Sequence, residues 1–136
     1  MRRRIQQSVD RLYRANNAHD PDAVGAVYAE DVVFFDVVSA VTTNGRDAVR
    51  QALEDLFRGF PDFSVMRVAL LIDGNMAAHR WVMRGTNTGT YDGLPATGNA
   101  VEVAGASFFE YDERGFVASS ANYVDIPAYL RQLGLQ

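Results

Sequence analysis

Residues 85–98 read GTNTGTYDGLPATG, with four glycines and one proline in fourteen positions. That density excludes a helix or an uninterrupted strand. The segment His79-Arg80-Trp81-Val82-Met83-Arg84 before it alternates apolar and polar side chains, and Val101-Glu102-Val103 after it does the same. The run is therefore expected to be a hinge between two antiparallel strands that bend sharply. Glycine lets a curving sheet kink without side-chain clash. A sheet bent into a half-cone has a concave side, and a concave side is where small molecules bind.

Upstream of this hinge the periodicity is helical. Ile5, Val9, Leu12, Tyr13 and Asn16 share one side of a helix over residues 5–18. Asp20-Pro21 is an N-cap followed by proline, opening a short helix that runs to Tyr28. Val32 to Val37 reads as a strand, and Gly45 to Phe57 returns to helical spacing before Gly59-Phe60-Pro61-Asp62 stops it. From there the reading is strands: Ser64–Ile72, Met76–Thr86, Ala100–Tyr111 and Phe116–Val124, with turn residues at Asp73-Gly74-Asn75 and Asp112–Gly115. Helices first and a meander afterwards predict one α+β domain over residues 1–136. Its N-terminal helices would pack on a cone-shaped half-barrel of curved antiparallel sheet.

Composition narrows the chemistry. There is no cysteine, which removes disulfides and thiolate catalysis, and no lysine, which removes Schiff-base and P-loop chemistry. A net charge of -4 argues against nucleic acid as a partner. No apolar run follows the arginines at positions 2–4, so neither a signal peptide nor a membrane span is expected, and a cytoplasmic location is. The two histidines, His19 and His79, have no ligand spacing, so no metal site is expected.

Strand parity directs His79, Trp81 and Met83 toward the helices and leaves Ala78, Arg80, Val82 and Arg84 outside. In the last strand, Ala121, Tyr123 and Asp125 share a face. An aspartate on a face expected to be apolar calls for an explanation. Asp125-Ile126-Pro127 also suits an N-cap of a C-terminal helix over residues 126–133.

Taken in order, Phe60-Pro61-Asp62-Phe63, Arg80-Trp81 through Gly85-Thr86, Gly93-Leu94-Pro95-Ala96-Thr97-Gly98, Tyr123-Val124-Asp125 and Gln132-Leu133-Gly134 resemble the SnoaL-like polyketide cyclases of the nuclear transport factor 2-like superfamily. The resemblance covers nearly the whole chain. It implies an α+β cone, a homodimer formed through the outer sheet face, and an intramolecular aldol ring closure on an anthraquinone-type methyl ester without metal or cofactor. In those enzymes an aspartate at the place of Asp125 is the acid/base. Two positions depart from the family pattern: Asn87 stands where relatives often carry histidine, and Ala121 where a bulky aromatic is common.

These readings give a set of expected site residues. Asp125 is the expected proton-transfer group, with helix capping as its alternative, and its pKa would be raised by burial. His79 is the second catalytic candidate, as a proton shuttle or a donor to a carbonyl oxygen, against a packed histidine. Tyr13 lies on the inner stripe of the first helix, with core packing as its alternative, and Asp36 at the end of the first strand is expected either to face the cavity mouth or to be a solvated strand-end aspartate. Phe57, Trp81, Met83, Asn87, Phe108 and Tyr123 complete the expected substrate-binding set. A cofactor-free hydroxylase of the same family and a non-catalytic small-ligand-binding domain are the alternative functions.

Overall fold

Ile5, Val9 and Leu12, one helical turn or so apart, are all buried, and they fix α1 (Arg2–Asn17) against the sheet. The computed structural model describes residues 1–135. Asp20 caps the short α2 (Pro21–Gly25), its carboxylate accepting from the Ala23 amide at 3.1 Å. This helix stops short of Tyr28, the end expected from sequence. Tyr28 instead opens β1 (Tyr28–Asp36), because it pairs with Val117 across the sheet and buries its ring against Phe109.

β2 (Val41–Asn44) follows as a short antiparallel partner of β1. Its sequence, Val-Thr-Thr-Asn, is almost wholly exposed and lacks an apolar face, so periodicity gave no sign of it. Then come α3 (Arg46–Gly59), β3 (Ser64–Asp73), β4 (Met76–Thr86), β5 (Ala100–Tyr111) and β6 (Val117–Val124). The C-terminal α4 (Ile126–Leu133) is ended by Gly134 in the left-handed conformation.

The six strands form one sheet in the order β2-β1-β6-β5-β4-β3. β3 to β6 make the expected antiparallel meander, but β1 runs parallel to β6, so the sheet is mixed rather than wholly antiparallel. The chain from β1 to β6, through β2, α3 and β3 to β5, is far longer than the crossover that parallel pairing needs. Irregularities between Tyr28 and Val33, Arg67 and Ala69, and Glu110 and Tyr111 bend the sheet into an open, curved surface.

Two hydrophobic clusters hold the helices in that curve. One joins Ile5, Val9 and Leu12 to Val32, Phe109 and Val117; the other joins Phe57, Phe60 and Phe63 to Val101, Val103 and Leu133.

The glycine-rich run is a long loop rather than a kink within the sheet, since β4 and β5 stay in register up to Thr86 opposite Ala100. It folds back onto the end of α3. Asn87 braces it, donating from Nδ2 to the carbonyls of Gly59 and Gly89 and accepting the Thr97 amide at Oδ1. Gly89 lies so close to α3 that a β-carbon there would sit 1.9 Å from the Arg58 carbonyl oxygen. No rotamer relieves a clash with backbone, so Gly89→Ala should lift the loop off α3. We expect it to cost roughly 1–3 kcal/mol, the range for overpacking, read as a lower midpoint in thermal or urea unfolding.

Candidate active site

Between the two clusters lies a cavity of about 310 Å³. α1 contributes Leu12, Tyr13 and Asn16, α3 contributes Leu53 and Leu56, and the sheet contributes His79, Trp81, Met83, Ser107, Phe109 and Asn122. Tyr91 from the loop and Tyr129 from α4 also line it. Such a volume falls at the small end of the roughly 300–1,000 Å³ that small-molecule sites span.

The walls are mostly apolar, and the polar groups within them are organised in two sets. In the first, the Tyr13 hydroxyl lies 2.5 Å from His79 Nδ1. Burial pushes the Tyr13 hydroxyl well above its ordinary value, opposed by the Arg67 guanidinium, which sits 5.9 Å from the Tyr13 ring. Burial, with a smaller contribution from Arg67, pulls the His79 imidazole down to about 4. Near neutral pH both groups are therefore uncharged. Tyrosine then donates its proton to Nδ1, and the imidazole proton resides on Nε2. Among the described residues, His79 Nε2 is the buried side-chain polar atom without a hydrogen-bond partner. Its ring meets Phe109 edge-on, with centroids 4.6 Å apart. A buried donor left unpaired costs on the order of 1–3 kcal/mol. Asp10 holds Arg67 in place at 2.7 Å.

The second set crosses the sheet. Trp81 donates from Nε1 to Ser107 Oγ at 3.1 Å, Ser107 donates to Asn122 Oδ1 at 2.7 Å, and Asn122 donates from Nδ2 to the Phe35 carbonyl at 3.2 Å. Asp36 follows Phe35 and lines the cavity; among the described residues no other lining residue is a carboxylate. Its Oδ1 accepts the amides of Val38 and Ser39 at 3.1 and 3.0 Å. Across the cavity, burial raises the Tyr91 hydroxyl, and the charges of Asp92, Asp55 and Asp36 raise it further.

A family model for SnoaL-like polyketide cyclases matches residues 5–133. The chain belongs to that family. No protein of curated function matches this SnoaL-like sequence significantly. TsrD of Streptomyces laurentii has the same fold, with a TM-score of 0.86 at 24% identity over 100% of this chain and 98% of its own. AclR of Streptomyces galilaeus, a candidate hydroxylase, gives 0.84 at 18% identity over 97% of this chain and 82% of its own. A candidate polyketide cyclase of Xanthomonas campestris pv. campestris gives 0.78 at 25% identity over 97% and 98%. One fold thus carries proteins described by different reactions, and the reaction has to be argued from the site.

Of the residues expected from sequence, this SnoaL-like chain brings Tyr13, Asp36, His79, Trp81 and Met83 to one cavity. The others lie elsewhere. Asp125 is exposed and caps α4, its Oδ1 accepting the Ala128 amide at 3.1 Å, so the buried, inward position expected for it is corrected. The cause is parity: toward its C-terminal end β6 buries Ser120 and Asn122, while Tyr123 is 45% exposed and stands against Phe108 on the outer face. Phe108 and Tyr123 are thereby removed from the substrate-binding set. Phe57 is packed on His19 at 4.7 Å between ring centroids, and Asn87 is consumed in bracing the loop. Ser107, Asn122, Tyr91 and Tyr129 were missed. Ser107 and Asn122 are direct partners across β5 and β6, so a correct register would have found them together.

The lowered His79 value sets a pH dependence. The unfolded imidazole takes a proton below about pH 6.5, whereas the folded one resists it down to about 4. Stability from this group is therefore full above pH 6.5 and is lost as the pH falls toward 4, by about 3 kcal/mol. Melting temperatures taken across that range should fall in the parent protein, and His79→Gln should flatten that component of the slope.

Proposed function

We propose that this protein is a polyketide cyclase that closes a ring by intramolecular aldol chemistry on a compact aromatic substrate. The observation that carries the reading is the neutral Tyr13–His79 pair in an apolar cavity, with Nε2 of His79 left without a partner. A substrate carbonyl oxygen that displaces the packing over the buried Nε2 gains a hydrogen-bond donor as negative charge builds on it. Donors of this kind are most effective where water is excluded. A base removes the proton next to the carbonyl and leaves an enolate. The enolate carbon then attacks a second carbonyl carbon, forming the ring bond, and the resulting alkoxide takes up a proton. Each step is a proton transfer or a carbon–carbon bond formation, so amino-acid side chains suffice for it.

The family assignment supports the substrate class, and the small volume favours fused rings over a long flexible chain. The test is turnover of an anthraquinone-type methyl ester bearing an open side chain, followed by absorbance and product mass. His79→Gln should lower kcat by roughly 10²–10³-fold, the loss typical of one oxyanion donor, and Tyr13→Phe, which removes the bond that fixes the imidazole tautomer, should lower it as well. Asp125→Asn should leave turnover within a few-fold of the parent, since its amide oxygen still caps α4. Oxygen uptake with a reduced anthraquinone would replace the reading by a hydroxylase. A raised melting temperature without product would replace it by a binding protein.

The proposal includes a homodimer. The outer face of β3 to β6 exposes Met66, Leu71, Phe108 and Tyr123 around the small side chains of Ala78 and Ala104. An apolar patch of this extent on a sheet favours association. The parent should elute at twice 15.0 kDa, and Phe108→Arg should shift it to the monomer position with the fold intact by circular dichroism.

A further inference from the structure

We propose that Asp36 is the base of this cavity, an inference that rests on the acid–base reading above. Proton abstraction beside a carbonyl needs a group that is ionised near neutral pH and reaches the cavity. His79 and Tyr13 do not serve, because the tyrosine holds its proton and the imidazole's free nitrogen carries one. Among the lining residues only Asp36 is a carboxylate.

Its placement comes from backbone on both sides. The Phe35 carbonyl accepts Asn122 Nδ2 at 3.2 Å, and the Val37 amide donates to the Asn122 carbonyl at 2.8 Å. Asp36 is paired with Asn122 in the parallel register and with Val41 in the antiparallel one. Phe34 and Asp36 therefore share the inner face of β1, and both line the cavity. One carboxylate oxygen, Oδ1, is fixed by the amides of Val38 and Ser39. The other, Oδ2, makes no hydrogen bond among the described residues. A carboxylate anchored by one oxygen with the second free is oriented without being neutralised, as a general base requires.

The step balances within the cavity. Oδ2 takes the proton, the C–H electron pair becomes the enolate double bond, and the carbonyl π pair moves to the oxygen held by the Tyr13–His79 pair. After the new ring bond forms, the alkoxide receives a proton and Asp36 returns its own to solvent.

The anchoring hydrogen bonds give a structural alternative, in which Asp36 only closes the turn into β2. Asparagine separates the two, because its amide oxygen accepts the same two backbone amides but its side chain takes no proton. The experiment follows α-proton exchange of 2-tetralone in D₂O by NMR, alongside thermal melts. The parent should exchange it faster than an equal concentration of acetate. Asp36→Asn should keep the melting temperature and lose roughly 10²–10⁴-fold in exchange rate, while Asp125→Asn keeps the parent rate. Exchange by Asp36→Asn at the parent rate, or a parent no faster than acetate, overturns the assignment. Asp36-dependent exchange with no ring closure of the polyketide ester upholds the base and removes the cyclase reading instead.

Discussion

The parallel seam between β1 and β6 is the join on which the cavity depends, and a single amide, Asn122, secures it from inside. Asn122 accepts hydroxyl protons from Ser107 and Ser120 at one end and donates to the Phe35 carbonyl at the other. Its own carbonyl receives the Val37 amide. A buried amide left unmatched costs on the order of 1–3 kcal/mol, so this network strongly favours one register. A slip of one residue would turn Phe34 and Asp36 to the other face of the sheet and bring Val33 and Phe35 inward. The two halves of the molecule, the helical half with β1 and the meander, meet along this line.

With the seam fixed, the interior divides its polar work. The network around Asn122 is satisfied internally and positions backbone. The Tyr13–His79 pair, in contrast, ends in a nitrogen with nothing to bond. The apolar surroundings that deny His79 a charge also keep its donor uncharged, so the pair can stabilise a developing anion without placing a cation in the cavity. Arg67 supplies positive charge nearby from a partly exposed position, where Asp10 balances it.

Much of this architecture was legible in the chain. The helix stripe Ile5-Val9-Leu12, the proline-started helices and the meander follow from periodicity and turn chemistry, and the alternation in β4 correctly sent His79, Trp81 and Met83 inward. Two features were not legible, for separate reasons. The parallel partner of β1 is distant in sequence, and no local pattern states which strand it joins. The parity of β6 was read backwards because its inward side chains, Ser120 and Asn122, are polar, whereas Ala121 and Tyr123 face outward. Burial of polar groups in a network inverts the usual alternation rule, and with it went the position assigned to Asp125.

The loop that begins at Asn87 has a different kind of significance. Its closure is local, made by one asparagine side chain and by the backbone at Gly59 and Gly98. Tyr91 is its contribution to the cavity wall. Apart from Gly89, which lies against the Arg58 carbonyl, and Tyr91, which packs on Phe60, residues from Thr88 to Ala96 can accordingly vary while strands, seam and helices keep their places. A scaffold with one interchangeable panel can acquire new molecular tastes by editing a single short segment, leaving the rest of its frame untouched.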